Sequence, residues 1–170
     1  EPVPPDNLDA LKKASEQIAN PVATGERLQT RFGFRKLLEQ QACDVIQPDV
    51  THVGGISELR KVAAMADASY VMVAPHDAAA PITTMASLHA VTGITNFKIQ
   101  ECFDDFCEPH VLEAITGRPV VKDGYFELPQ EPGMGTDIRE EVIAAHPYVE
   151  GSFNLWDPEW HKRKFKLDDK

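Results

Sequence analysis

Between residues 1 and 101 one unit returns four times, a helix-patterned stretch followed by a short apolar run that ends on an ionisable residue. Those ends fall at Glu1, Glu26, Asp49, His76 and Glu101, spaced 25, 23, 27 and 25 residues apart. Parallel strands can be joined only through a crossover of a dozen or more residues, usually a helix. A near-constant period of this length is therefore what alternating helices and parallel strands produce.

The residues fill the pattern in. Asp6 or Asn7 can cap a helix with Leu8, Leu11 and Ile18 on one face, ending near Asn20. Pro21 to Thr24 reads as a short buried strand closing on Gly25-Glu26. Phe34, Leu37, Leu38 and Ala42 line a second helix, and Val45-Ile46-Gln47 forms the strand that leads to Pro48-Asp49. Gly54-Gly55 turns the chain, and Ser57 is expected to cap a helix carrying Leu59, Val62, Ala63 and Ala66 inward. Tyr70 to Val73 is the next strand, running into Ala74-Pro75-His76. Pro81 opens a helix that reaches Gly93, and Phe97 to Gln100 is the last strand.

An open doubly wound sheet would give the same period but would scatter the strand ends along a line. In a (β/α) barrel they converge on one face, where such enzymes do their chemistry. On that reading five titratable groups point into one mouth. Residues 1–101 are expected to form this barrel portion, and residues 102–170 a C-terminal extension. The extension holds a short helix from Pro109 to Gly117, a hairpin over 120–126 with an Asp-Gly turn, and a loop from Pro129 to Gly135. Trp156, Trp160 and Phe165, with Lys and Arg between them, read as a C-terminal arm that packs on the body or docks elsewhere.

Charge and composition narrow the function. A net charge of −10 argues against a nucleic-acid partner, which needs clustered Lys and Arg on its phosphates. It does not exclude a small anionic substrate, since a bound divalent cation reverses the field locally. The sequence holds no apolar run near the roughly 20 residues that a membrane helix requires. Its first residues lack the basic and apolar segments of a signal peptide. Three cysteines, with Cys102 and Cys107 five apart and without zinc-ligand companions, are expected to be reduced thiols in a cytoplasmic protein.

Four local patterns together resemble the mandelate racemase and sugar-acid dehydratase branch of the enolase superfamily. They are Glu1-Pro2-Val3, Thr24-Gly25-Glu26-Arg27, Gln47-Pro48-Asp49-Val50-Thr51-His52-Val53-Gly54-Gly55, and Ala74-Pro75-His76. Glu101 and Pro132-Gly133-Met134-Gly135 fit the same template in order and spacing. Ala-Pro-His before a Pro-, Ile- and Thr-rich helix start is most similar to galactonate dehydratase-like members. The resemblance implies an α/β fold, the C-terminal part of a (β/α)7β TIM-like barrel of about four βα units plus a C-terminal arm. It also implies a Mg²⁺-dependent dehydratase of a small sugar acid, homo-oligomeric at full length.

Three acidic metal ligands are the family pattern, the second two residues before the fourth-strand proline. Pro2 is that proline here, so the ligand position falls just ahead of Glu1, and the chain is expected to be a fragment carrying one ligand, Glu26. A fragment of this kind is expected to self-associate through uncovered strand edges and to be inactive alone. The alternative for Glu26 is a surface carboxylate paired with Arg27 or Arg31. His76 is expected to be the acid or base at the reacting carbon, because imidazole titrates near working pH, and Asp49 to hold its ring. Glu101 resembles the glutamate that hydrogen-bonds the substrate carboxylate. His52 either touches substrate or makes a loop hydrogen bond. Dehydration and racemisation share the first proton abstraction, so a 2-hydroxy-acid racemase or epimerase and a non-catalytic barrel fragment are the other readings.

Overall fold

The structure, a computed structural model, describes residues 1–148. Helix α1 (Leu8–Ser15) starts where Asn7 accepts a hydrogen bond from the Ala10 N–H at 3.0 Å. It is shorter than expected. The N–H groups of Gln17 and Ile18 both turn back to the Ala14 carbonyl, and Ile18 is left 40% exposed beyond the helix rather than on its buried face.

Three strands follow, β1 (Ala23–Thr24), β2 (Val45–Ile46) and β3 (Met72–Val73), parallel and in the order β1-β2-β3. Ala23 pairs with Val45 and Val45 with Met72, so the carboxyl ends of the three strands lie side by side. The expected fourth strand is reduced to one parallel bridge, Val73 to Phe97. Lys98 donates to the Val73 carbonyl at 2.8 Å, and Glu101 donates to the Pro75 carbonyl at a longer 3.4 Å. Ile99 is 63% exposed, so little apolar burial holds this segment. Asn96 starts it from a buried site, its side-chain amide donating to the carbonyls of Ala63 and Val71.

Helices α2 (Thr30–Glu39), α4 (Ile56–Ala68) and α5 (Pro81–Val91) are the crossovers, with α2 packed on α4 and α4 on α5. Phe34, Leu37 and Leu38 of α2 and Leu59, Val62, Ala63 and Ala66 of α4 recur at helical spacing and are buried in one cluster with Ile46 and Val73. The cap of α4 is Gly55 rather than Ser57: the helix begins at Ile56, and Leu59 donates back to the Gly55 carbonyl at 3.0 Å. Gly54 and Gly55 hold φ of 113° and 89°, a region that side chains resist. Ahead of them lies a one-turn helix, α3 (Val50–Val53), which the sequence pattern does not announce. Tyr70 is not in the third strand. It sits at φ 58° in the turn after α4 and is 96% exposed.

Beyond Glu101, α6 (Pro109–Glu113) leads into β4 (Ile115–Thr116), which pairs antiparallel with β7 (Asp137–Ile138) ahead of α7 (Glu140–Ala145). Strands β5 (Val121–Lys122) and β6 (Tyr125–Phe126) form the expected hairpin. Asp123 and Gly124 take φ of 50° and 81°, the two positive values of a type I′ turn. The aromatic residues Trp156, Trp160 and Phe165 lie outside the described residues. No helix among the described residues is long and apolar enough to cross a membrane.

Phe34 is fully buried at the centre of this packing. Phe34→Ala is expected to cost about 3–5 kcal/mol of stability through lost burial and a residual cavity. Chemical denaturation of the two proteins side by side checks it.

Candidate active site

Each strand end delivers its residue by a local device. After β1, Gly25 holds φ at 128°, and a Cβ there would lie 2.8 Å from the Phe34 ring and 3.3 Å from the Gln47 nitrogen. Only glycine lets the chain pass this close to the core and present Glu26 at the sheet edge. After β2, Asp49 caps α3. Its Oδ1 accepts from the N–H of Thr51 at 2.7 Å, from the N–H of His52 at 3.2 Å and from the Thr51 hydroxyl. The carboxylate is 4% exposed, and its second oxygen, Oδ2, is 2.8 Å from Nδ1 of His76 at the end of β3.

A carboxylate can only accept, so Nδ1 of His76 donates and carries a proton. That leaves Nε2 facing the mouth, 3.4 Å from Glu26 Oε2 and 3.9 Å from Glu101 Oε2. Glu26, Asp49, His76 and Glu101 are thus brought together. Arg27 pairs with Glu1 and Arg31 with Glu58, so neither arginine named as the alternative partner takes the Glu26 side chain. His52 stands apart from this cluster in its contacts: its Nδ1 is 2.9 Å from the Glu26 carbonyl, a loop hydrogen bond linking α3 to the end of β1. Glu101 accepts the Asp77 N–H at 2.8 Å.

The charges tune one another. Burial pushes the Asp49 carboxyl up, but the hydrogen bonds from the Thr51 hydroxyl, the His76 ring and the N–H groups of Thr51 and His52 outweigh it and hold it below its ordinary value. Burial pulls the His76 imidazole down. The Asp49 hydrogen bond and the negative charges of Glu101 and Glu26 outweigh that and hold it above its ordinary value. The cysteines are shifted away from the thiolate. Burial pushes Cys43 up to about 12 and Cys102 up to about 11, so neither is a thiolate near neutrality.

As a cation site the described residues are incomplete. No group of three or more His, Cys, Asp or Glu side chains among them is placed to hold a metal ion. Mg²⁺ takes near-octahedral oxygen coordination, commonly with more than one carboxylate, and Glu26 is a single carboxylate, 41% exposed. It fits as one ligand, not as a site.

Asp77 is the residue that sequence patterns missed. It is 1% exposed and bonded to the hydroxyls of Thr83 and Thr84. A carboxylate directly after the histidine, then a proline and paired threonines at a helix start, was the available signal.

A family model described as Enolase C-terminal domain-like matches residues 1–142. The chain belongs to that family. D-xylonate dehydratase of Haloferax volcanii is 37% identical over 159 residues, 94% of this chain and 38% of that protein. D-galactonate dehydratase of Cronobacter sakazakii is 34% identical over 167 residues, 94% of this chain and 43% of that protein. The crystal structure of a mandelate racemase/muconate lactonizing enzyme from Sulfitobacter sp. matches with a TM-score of 0.83 at 35% identity, over 89% of this chain and 37% of that one. The chain spans about two fifths of the length of the curated relatives it matches. Its fold is the TIM-barrel part of the enolase C-terminal domain, α/β as the strand–helix period implied.

In metal-free protein, NMR titration should put His76 above the ordinary histidine value of about 6.5, and Asp49→Asn should bring it down. The raised His76 contributes stability that is full below about 6.5 and is lost as pH rises through its folded value. The depressed Asp49 contributes stability present above about 3.9 and lost as pH falls through its folded value. Denaturation midpoints across pH should therefore peak between these limits in the wild type and flatten in Asp49→Asn.

Proposed function

We propose that this chain carries the acid–base half of a Mg²⁺-dependent sugar-acid dehydratase, acting on a galactonate-like acid. The observation that carries the reading is the 2.8 Å His76–Asp49 hydrogen bond at adjacent strand ends, with the free Nε2 turned toward Glu26 and Glu101. The dehydratase names of the two relatives described above favour dehydration over racemisation.

Asp49 fixes the His76 ring, so that Nε2 is the atom that exchanges a proton with the substrate. In the reaction the hydrogen α to the carboxylate leaves as a proton and its electron pair forms the enediolate. The β-carbon–oxygen bond then breaks with a proton delivered to the departing hydroxyl, and the resulting enol tautomerises to a 2-keto acid. The net change is loss of one water. His76 is the acid or base at the reacting carbon, and Glu101 hydrogen-bonds the substrate carboxylate. Glu26 is the residue of this chain that would take the ion, with further oxygen ligands from outside residues 1–148. A bound divalent ion would supply Lewis-acid relief of the enediolate charge. His52 lies on the substrate side and also supports the Glu26 backbone through its loop bond.

The test is formation of 2-keto acid from a panel of sugar acids with Mg²⁺, using the enzyme that contains this chain. Activity toward a galactonate-type acid is expected. His76→Asn should reduce kcat/KM by at least about 100-fold, the range for loss of an acid–base group, and Glu26→Gln should lower it by weakening the hold on the ion. Unimpaired turnover in His76→Asn would remove the proposed acid–base residue. Interconversion of epimers without loss of water would move the assignment to a racemase.

A further inference from the structure

Asp77 holds a buried carboxylate to which the proposed chemistry gives no task. Its Oδ1 accepts the Thr83 hydroxyl at 2.6 Å and the Ala79 N–H at 3.4 Å, and its Oδ2 accepts the Thr84 hydroxyl. Helix α5 has no side-chain cap of its own, since its N-cap residue is Ala80 and Pro81 fills the first turn. The Asp77 carboxylate supplies the missing tie, from the strand end to the first turn of the helix.

Such a group is expensive to bury. No Lys or Arg among the described residues forms an ion pair with Asp77, and hydroxyl donors only partly replace lost water. Its backbone shows what the tie accomplishes. The Asp77 N–H donates to Glu101 Oε2 at 2.8 Å, and that same oxygen faces His76 Nε2 at 3.9 Å. Side-chain anchoring to Thr83 and Thr84 fixes the peptide joining His76 to Asp77, and that peptide fixes Glu101.

We propose that Asp77 is a positioning residue for the reaction, which sets Glu101 relative to His76 through its own N–H, with Thr83 and Thr84 as its anchors. The proposal rests on the reading of His76 and Glu101 as working groups. A purely structural cap would support α5 without acting through Glu101, and this difference is measurable.

The experiment is a double-mutant cycle in the enzyme that contains this chain, with Asp77→Ala, Glu101→Ala and both together. Readouts are kcat and KM for 2-keto acid formation, and exchange of the substrate α-hydrogen in D₂O. Asp77→Ala should lower the same parameter that Glu101→Ala lowers, by about 10- to 100-fold, the scale of small misplacements at a reacting centre. The double variant should be no worse than Glu101→Ala alone, because the two act as one unit. Asp77→Asn, which can still bond both hydroxyls, should recover most of the rate. Losses that multiply in the double variant overturn the proposal, as does a lowered melting point with kcat and KM unchanged. Should Asp77→Ala fail to fold, Thr84→Val takes its place in the cycle. If no acid is turned over or exchanged, the dehydratase reading fails by itself. The residue-77 amide then decides the proposal: its hydrogen exchange should be slow in the wild type and at least tenfold faster in Asp77→Ala, with α4 amides unchanged. Fast exchange in the wild type, or equal exchange in the variant, overturns it.

Discussion

The hydrogen bond from His76 Nδ1 to Asp49 Oδ2 is the contact on which the arrangement of this mouth depends. It joins the ends of two neighbouring parallel strands, and it can form only because β2 and β3 run in register, with Ile46 opposite Val73. The bond also divides the duties of one carboxylate. Oδ1 organises the Asp49 loop and α3, while Oδ2 orients the imidazole. A change in the loop that follows β2 is therefore felt at Nε2, although none of the loop's own atoms need reach the substrate. Charge-assisted bonds of this type are roughly twice as strong as neutral ones. That strength is needed, because both partners are largely withdrawn from water.

Four carboxylates contribute to this region, from Glu26, Asp49, Asp77 and Glu101, with one imidazole among them. Their number would be a liability in a structure selected for stability alone. The means of support differ. Asp49 is held by N–H groups and a hydroxyl, Asp77 by two hydroxyls and a longer N–H bond, and Glu101 by a single N–H, while Glu26 reaches solvent. Asp49 and Asp77 are buried, whereas the Glu26 and Glu101 side chains are 41% and 43% exposed. The most exposed carboxylates, Glu26 and Glu101, are the ones assigned to ion and substrate. On the proposed reading, the groups that change partners during turnover are the ones left where exchange with water is cheap.

Most of this frame was legible in the sequence because it follows from spacing. A strand–helix period near 25 residues puts Glu26, Asp49, His76 and Glu101 at successive strand ends, and apolar residues at helical spacing mark α2 and α4. What escaped depends on partners chosen in three dimensions. Asp77 bonds residues six and seven positions away, outside any local capping pattern. The one-turn helix α3 arises because Asp49 caps it, and Val-Thr-His-Val alone gives no helical signal. Arg27 and Arg31 beside Glu26 invited a local ion pair, yet each found a distant glutamate with better geometry. The fourth strand looked as good as the others in composition. Its pairing is nonetheless one bridge, Val73 to Phe97, and Ile99 beyond it is left 63% exposed.

The weak edge has a thermal meaning. Proteins open in pieces, and the pieces with fewest buried contacts open first. The Glu101 backbone hangs from a segment with one bridge and one 3.4 Å bond. Its side chain is held by the Asp77 N–H, and the Gln100 amide reaches the Pro75 carbonyl at 3.3 Å. By contrast Asn96, just before that segment, is buried and clasps two carbonyls. Fraying that starts at residue 101 therefore runs back only as far as Asn96, where further opening would strip the Ala63 and Val71 carbonyls of their donor. On warming, Glu101 would detach while His76 and Asp49 remain joined. Glu101 would lose its place before the fold loses its cooperativity, and that loss reverses on cooling because the frame that rebuilds it has never come apart.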